Sequence, residues 1–306
     1  MNKEKYSGII PAFYACYDKS GNINPESIEQ FTLHLINKGV QGLYVGGSSG
    51  ECIYQSVEER KLVLEHVMKV AKGKITVIAH VACNNTKDSC ELASHAEKMG
   101  VDAIAAIPPI YFHLPDHAIA AYWNEISASA PNTDFIIYNI PQLAGVALTP
   151  DCLKIMRKNP RVIGVKNSSM PTMDIQTFMA IGGEDFVVFN GPDEQLAAGL
   201  SMGAVGGIGG TYGVMPELYI KIKEEINGGN IKKASLLQAK ANDIIAAMCS
   251  CKGNLYAVMK KIIHLREGIC LGGVRSPLPN LCDDDLPTVV KCAKMIDEVI
   301  KLQKGI

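Results

Sequence analysis

The sequence predicts an α/β fold, a closed (β/α)8 TIM barrel with a C-terminal helical extension. Eight short apolar runs recur along the chain, and segments of helical period lie between them. The runs are apolar at nearly every position, as in the strands of a parallel sheet that is covered on both faces. Strand and helix alternating eight times within about 200 residues favour a closed barrel.

The predicted strands follow one another at regular intervals. They lie at 8–16, 42–47, 76–82, 103–108, 134–140, 162–166, 186–189 and 205–208. Amphipathic segments between them include 25–38, 57–72, 86–99, 118–130 and 149–158. Two helix starts carry sequence signals: Asn24 precedes Pro25 at the first helical position, and Ser56 lies three residues before Glu59 in a capping box.

After Pro216 the pattern is helical to the end of the chain. The segment 217–226 is the expected eighth barrel helix, and three further helices are expected near 231–248, 254–265 and 284–302. We therefore expect a barrel domain at 1–228 and a helical extension at 229–306 packed on it. A doubly wound open sheet is the competing architecture, but it would need a Gly-x-Gly-x-x-Gly turn after the first strand, where Cys16-Tyr17-Asp18 stands.

The composition limits the classes of partner. A net charge of −1 over 306 residues provides no general field for nucleic acid or an anionic membrane, so a small-molecule partner is expected. The N-terminus has no signal-peptide core, and no apolar run approaches the roughly 18 residues of a spanning helix. The ten cysteines are scattered without a Cys-x-x-Cys pair, which is typical of a reducing cytoplasm.

Lys166 is the strongest candidate for a catalytic residue. It ends the sixth apolar run, and barrel enzymes place their active sites at the C-terminal ends of the strands. Burial disfavours a charged amine, and a neutral amine can attack a ketone to form an imine that withdraws electrons without any cofactor. The alternative is a lysine that extends from the strand end to solvent.

Polar residues at the neighbouring strand ends could assist such an amine. Tyr138 ends the preceding run and could pass protons, although a core tyrosine has the same pattern. Ser48 and Ser49 follow two glycines after the second run and could hold a carboxylate, or form only a turn. Asp193 and Glu194 follow the seventh run and could bind sugar hydroxyls, or simply begin the next helix.

Histidines give no metal pattern. His113 and His117 have i,i+4 spacing, but Pro115 lies between them and no third ligand is evident, so loop or surface roles are favoured and no metal is expected. The single tryptophan, Trp123, lies on a predicted helix and is interpreted as a core residue.

Three motifs together carry a resemblance to a known superfamily. They are Gly46-Gly47-Ser48-Ser49-Gly50-Glu51, Tyr138-Asn139-Ile140-Pro141 and Gly164-Val165-Lys166-Asn167-Ser168-Ser169. Over nearly its whole length the chain resembles the pyruvate-dependent class I aldolases, the superfamily that includes N-acetylneuraminate lyase and dihydrodipicolinate synthase. The resemblance implies a homotetramer with Lys166 as the Schiff-base lysine, Tyr138 as proton relay, and Ser48 with Ser49 at the pyruvate carboxylate. It also implies that Tyr111 is the tyrosine that neighbouring subunits exchange near the site.

Two local features favour the sialic acid branch of this superfamily. No arginine follows the Tyr138 motif, where the synthase holds its second substrate and this chain reads Gln142-Leu143-Ala144-Gly145. The stretch 190–194 resembles the lyase motif for the hydroxylated chain of open-form sialic acid. By that resemblance Gly191 offers a backbone group, Asp193 and Glu194 bind hydroxyls, and Ser168 lies near the reacting end.

Two positions depart from the familiar lyase pattern. Ser49 stands where threonine is usual, which preserves the hydroxyl. Gly210 stands where a serine would bind the glycerol-like tail of the sugar, and one such hydrogen bond contributes about 0.5–1.5 kcal/mol.

The sequence as a whole predicts reversible cleavage of N-acetylneuraminate to N-acetyl-D-mannosamine and pyruvate. The alternatives are another pyruvate-dependent aldolase, acting on a keto-sugar acid or on aspartate semialdehyde, and a non-catalytic homologue that binds sugar acids.

Overall fold

The computed structural model describes residues 3–304. The extreme ends of the two predicted units, residues 1–2 and 305–306, lie outside the described residues. Eight parallel strands form one sheet in the order β1-β8-β7-β6-β5-β4-β3-β2. They are β1 Ile9–Pro11, β2 Gly42–Val45, β3 Thr76–His80, β4 Ala103–Ala106, β5 Asp134–Asn139, β6 Val162–Asn167, β7 Val187–Asn190 and β8 Gly206–Gly209.

The sheet closes into a barrel between β1 and β2. Ala12 forms a parallel bridge with Tyr44, and the Gln41 backbone N–H donates to the Ile9 carbonyl at 2.9 Å. Side chains from alternate positions fill the interior, among them Ile10, Ile136 and Phe189, all fully buried. The predicted fold class is therefore confirmed.

The helices surround the barrel and then continue as the C-terminal extension. They are α1 Pro25–Asn37, α2 Val57–Ala71, α3 Thr86–Met99, α4 Asp116–Ala128, α5 Pro141–Ala144, α6 Pro150–Met156, α7 Met173–Gly182, α8 Leu196–Ser201, α9 Pro216–Asn227, α10 Ile231–Cys249, α11 Leu255–Glu267 and α12 Leu286–Lys304. Within residues 3–304 no helix is both long and apolar enough to cross a membrane.

Both helix starts with sequence signals form as expected. Asn24 Oδ1 accepts from the Ser27 backbone N–H at 3.2 Å, with Pro25 in the first turn of α1. At α2, Ser56 and Glu59 exchange the two hydrogen bonds of a capping box, at 2.9 and 3.2 Å. Three backbone N–H groups at these helix starts, those of Ser27, Ser56 and Glu59, thus gain side-chain partners.

The end of the chain differs from the prediction in one segment. Residues 268–282 were expected within a helical pattern but form an extended loop between α11 and α12. The loop contains three glycines and two prolines, and Gly268 caps α11 in the left-handed conformation at φ 73°. Proline and left-handed glycine both end helices, so this local chemistry overrides the helical period on either side.

The predicted core and surface residues lie where expected. Trp123 is buried, and its Nε1 donates to the Ile107 carbonyl at 3.3 Å. His113 and His117 are exposed in and beside the loop before α4. Among residues 3–304 no three histidine, cysteine or acidic side chains are grouped so that they could hold a metal ion.

Candidate active site

A cavity of about 380 Å³ opens at the C-terminal ends of the barrel strands. Nine of the ten predicted site residues line it: Ser48, Ser49, Tyr138, Lys166, Ser168, Gly191, Asp193, Glu194 and Gly210. They come from five loops or strand ends that are widely separated in the sequence. Because parallel strands end together at one rim of a barrel, the fold brings these residues to one place.

Lys166 lies near the end of β6 and is only 4% exposed. It pairs in register with Tyr138 on β5, and its Nζ lies 3.8 Å from the centroid of the Tyr138 ring and 4.1 Å from that of Tyr44. Burial lowers the pKa of the amine to about 7, against the raising effect of the negative charge on Asp193. A large part of the amine is therefore neutral at neutral pH and able to act as a nucleophile.

Tyr138 presents its hydroxyl to two serines of the cavity. Burial raises the pKa of Tyr138 to about 12, and hydrogen bonds with Ser48 and Ser168 oppose that rise. The hydroxyl thus keeps its proton at rest and is linked to other hydroxyls. Such a group can donate its proton and take one back during a reaction.

The turn after β2 carries the two serines predicted to hold a carboxylate. Gly46 has φ 75°, and a short 3-10 helix, Ser48–Gly50, follows it. His80 Nδ1 lies 2.8 Å from the Gly46 carbonyl oxygen, which fixes the start of the turn. Ser49 is buried, and the successive N–H groups and hydroxyls of the turn suit a carboxylate.

Asp193 lies opposite the amine at the end of β7. Its Oδ2 accepts from Thr211, from the backbone N–H at 2.6 Å and from the hydroxyl at 2.7 Å. Burial raises the pKa of Asp193 to about 6, and the Thr211 hydrogen bonds oppose the rise. Glu194 is exposed beside it. Both residues also begin a short helical turn, Asp193–Gln195, as one of the two sequence interpretations predicted, and their binding of sugar hydroxyls stays a prediction.

Two glycines line the cavity where side chains of neighbouring residues come close. A Cβ at Gly191 would lie 2.0 Å from the Ser168 hydroxyl, so no larger residue fits beside it. A Cβ at Gly210 would lie 3.2 Å from the Ser49 hydroxyl and 3.9 Å from Asp193 Oδ2, a tight but adjustable contact. The Gly210 carbonyl accepts from the Tyr14 hydroxyl at 2.6 Å, which fixes the backbone there.

Tyr111 does not reach the cavity within one chain. It is 86% exposed with φ 83°, and its ring packs edge-on against Phe112 at 5.0 Å between centroids. The structure therefore keeps this residue apart from the other nine.

The site also includes residues that sequence reasoning missed. Tyr44 lies behind the cavity wall and packs against the amine, and its buried hydroxyl has no hydrogen-bond partner in the described part of the chain. Tyr256 and Met259 come from α11, and the Tyr256 hydroxyl hydrogen-bonds with Ser49. An inward-facing tyrosine on β2 was a signal for the first, whereas nothing local in the sequence indicates that α11 reaches the barrel rim.

A barrel with a buried, partly neutral lysine beside a tyrosine at the strand ends defines an enzyme of the imine-forming aldolase class. The sequence profile of the Dihydrodipicolinate synthetase family matches residues 5–296. The chain belongs to this family, as the sequence motifs predicted.

Curated relatives share most of the chain. It is 65% identical over 300 residues to the N-acetylneuraminate lyase of Mediterraneibacter gnavus, covering 98% of this chain and 95% of that protein. It is 34% identical to the N-acetylneuraminate lyase of Salmonella agona, covering 95% of this chain and 97% of that protein. The sialic acid branch, rather than the synthase branch, is thus the one that these relatives represent.

Solved structures agree with the fold in detail. The wild-type sialic acid aldolase of Ruminococcus gnavus superposes with a TM-score of 0.97 at 65% identity, covering 97% of this chain and 99% of that one. The same aldolase is also solved as a catalytic lysine mutant, with a TM-score of 0.97. That protein therefore uses a lysine in catalysis.

Proposed function

We propose that this chain cleaves N-acetylneuraminate reversibly to N-acetyl-D-mannosamine and pyruvate, as a Schiff-base-forming carbon–carbon lyase. The observation that carries the proposal is the buried Lys166 amine, with a pKa of about 7, beside the Tyr138 ring. The 65% identity to an N-acetylneuraminate lyase over nearly the full chain supports the choice of substrate.

The reaction begins with Lys166. Its neutral Nζ attacks the C2 ketone of the open-chain sugar acid, water leaves, and a protonated imine forms. Tyr138 gives its proton to the hydroxyl that leaves as water, and the resulting tyrosinate then takes the proton of the C4 hydroxyl, directly or through the substrate carboxylate, as the C3–C4 bond breaks. The bonding electrons move into the imine to give an enamine, and N-acetyl-D-mannosamine leaves as the aldehyde. The enamine is protonated at C3, and water then hydrolyses the imine to release pyruvate and the free amine.

The other cavity residues bind the two ends of the substrate. Ser48 and Ser49, with the N–H groups of their turn, hold the carboxylate. Toward the sugar, Ser168 lies near the reacting carbons, a Gly191 backbone group contacts the chain, and Asp193 accepts from its hydroxyls. Because Asp193 is already fixed by Thr211 at 2.6 Å and 2.7 Å, it is oriented before the substrate arrives.

The rim of the cavity completes the sugar site. Glu194 is exposed there and accepts hydrogen bonds from further hydroxyls of the sugar. Gly210 leaves open the space that a serine side chain would fill. The missing hydrogen bond weakens binding of the sugar tail by about 0.5–1.5 kcal/mol relative to a lyase that has the serine.

We also propose that the protein assembles as a homotetramer in the cytoplasm. Tyr111 and Phe112 are 86% and 70% exposed on one segment, and a second copy that covered them would bring Tyr111 to the neighbouring site. The residues 1–228 act as the catalytic barrel, and 229–306 complete its cavity through α11. The scattered free cysteines suit a reducing compartment.

Pyruvate release from N-acetylneuraminate tests the substrate. We expect release with this sugar acid, and condensation of N-acetyl-D-mannosamine with pyruvate in the reverse direction. Exclusive use of aspartate semialdehyde as the aldehyde would contradict the proposal, and binding without pyruvate release would leave only a sugar-acid-binding protein.

A further inference from the structure

A second buried lysine, Lys260 on α11, lies outside the lining of the cavity. Its Nζ donates to Glu51 Oε1 at 2.8 Å and to the Gly273 carbonyl at 2.6 Å, and neither charged side chain has exposed surface. The same Nζ lies 4.9 Å from the centroid of the Tyr17 ring. Both of its hydrogen-bond partners are acceptors, and the buried Cys16 thiol also lies near enough to interact with its charge. This amine is therefore paired with a carboxylate, whereas Lys166 forms no ion pair within residues 3–304.

Glu51 ends the turn that carries Ser48 and Ser49. Its backbone has φ 53°, a left-handed conformation that residues other than glycine seldom adopt and that persists only where the surroundings fix it. Here the carboxylate is held on both sides, because Oε2 also accepts from the Arg275 backbone N–H at 2.9 Å. Lys260 and the loop 268–282 therefore determine how this turn ends.

The same ion pair orients the helix that closes the cavity. Tyr256 lies four residues before Lys260 on α11, so the two side chains project from one face of the helix. Lys260 reaches Glu51, and the Tyr256 hydroxyl hydrogen-bonds with Ser49, two residues before Glu51. The turn and the helix thus meet at two points, one charged and buried, the other at the cavity wall.

Stability alone does not explain a charged pair at this position. Replacing a buried ion pair with apolar side chains of similar volume is often neutral or stabilising, because both charges must be removed from water. An ion pair has a different advantage, since its hydrogen bonds accept only a narrow range of geometries. We therefore expect the ion pair to fix the geometry of the Ser48–Ser49 turn.

We propose that Lys260 is a positioning residue that, through Glu51, holds the Ser48–Ser49 turn and Tyr256 in the geometry that binds the substrate carboxylate. The inference rests on the proposed function, since the turn is a carboxylate site only if the chain binds a 2-keto acid. Lys260 touches neither substrate nor reacting atoms, so its loss should alter substrate binding more than the chemical steps.

The test compares E51M/K260M and K260M with the wild-type enzyme. For each, KM and kcat for N-acetylneuraminate are measured together with the melting temperature. We expect E51M/K260M to melt above K260M, because no charge is left buried and unpaired, yet to raise KM about tenfold with a smaller change in kcat, the effect of one misplaced charge-assisted hydrogen bond. K260M should show the same rise in KM and a lower melting temperature, because it leaves the Glu51 carboxylate buried and unpaired.

Lys38 offers a matched control. Its Nζ donates to Glu217 at 2.6 Å and to Glu267 at 3.0 Å, so it also ties α11 to other helices, but away from the cavity. K38M should leave KM unchanged, whatever its effect on the melting temperature.

A wild-type KM in folded E51M/K260M would overturn the inference, because the ion pair would then contribute only to packing. If that variant does not fold, E51Q replaces it, which keeps the size but removes the charge and one of the two acceptors, so that either Lys260 Nζ or the Arg275 N–H faces an NH2 group. A severalfold rise in KM is then expected, and an unchanged KM overturns the inference. If wild-type enzyme neither cleaves N-acetylneuraminate nor forms an imine with pyruvate, the proposed function has failed instead.

Discussion

The charge on Asp193 controls how much of the Lys166 amine is neutral. Burial lowers the pKa of Lys166 to about 7, and Asp193 opposes that effect because its negative charge favours the ammonium form. Asparagine has the same shape as aspartate and can still accept a hydrogen bond from Thr211. Asp193→Asn should therefore lower the pKa of Lys166 further and leave the cavity wall in place.

The size of the effect follows from the fraction of neutral amine. A pKa of about 7 leaves about half of the amine neutral at pH 7, whereas the ordinary 10.5 would leave about one in 3,000. If the substitution lowers the pKa of Lys166 by about one, the neutral fraction rises about threefold at pH 6.5 and hardly changes at pH 8. At pH 6.5 the native Asp193 carboxylate, with a pKa of about 6, is still mostly ionised, so removing its charge lowers the pKa of Lys166 at this pH too.

Trapping of pyruvate with cyanoborohydride between pH 6.5 and 9 measures this directly. Pyruvate is too short to need the sugar-binding groups, so imine formation reports the amine rather than binding of the sugar. Glu194→Gln is the matched control, because it removes a neighbouring exposed charge and should leave the midpoint near pH 7. An unchanged or higher midpoint in Asp193→Asn would refute the electrostatic reasoning.

Three further substitutions separate stability, proton transfer and sugar binding. Lys166→Met should raise the melting temperature at pH 7 by several degrees, and the advantage should shrink as the pH rises from about 7 towards 10.5. In that range the unfolded wild-type chain holds a proton that the folded chain does not, so its stability increases with pH. Tyr138→Phe should lower kcat about 100-fold or more, while pyruvate is still trapped on the lysine. Gly210→Ser should lower KM for N-acetylneuraminate about 2- to 10-fold by restoring one hydrogen bond, without changing the trapping of pyruvate.

A different result would contradict each of these three predictions. A melting temperature of Lys166→Met that stays below wild type at every pH would mean that the lysine stabilises the fold. Full activity of Tyr138→Phe would remove the tyrosine from the proton path. A Gly210→Ser variant that binds the sugar acid no better, with unchanged pyruvate trapping, would mean that the sugar tail does not reach this position.

The sequence predicted the strands well because burial on both faces leaves a visible pattern. All eight lie within or next to the predicted runs, but the first run, 8–16, contains only Ile9–Pro11 as strand. Residues 13–17 are equally buried but do not continue the strand: the Phe13 N–H still donates to the Tyr44 carbonyl at 2.9 Å, whereas the Tyr17 N–H donates to the Leu271 carbonyl, outside the sheet, at 3.0 Å. An apolar run therefore reports burial and not backbone hydrogen bonding, which is why its end could not be predicted.

The site could be predicted only for residues at the C-terminal ends of the strands, where barrel enzymes place their active sites. Lys166, Tyr138 and the serine turn follow from this placement, since each stands where an apolar run ends. Tyr256 and Lys260 could not be found in this way, because their contacts with Ser49 and Glu51 join residues about 200 positions apart. The role of the loop 268–282 was missed for a related reason. The loop acts through tertiary contacts, such as the hydrogen bond from the Arg275 backbone N–H to Glu51.

Identification of the modified side chain tests the central claim most directly. Wild-type protein treated with pyruvate and borohydride should gain one reduced pyruvate per chain, and peptide mapping should assign it to Lys166. Lys166→Ala, folded by circular dichroism, should gain none and should release no pyruvate from N-acetylneuraminate. Stoichiometric modification of that variant, or of Lys260 in the wild-type protein, would contradict the assignment of the nucleophile.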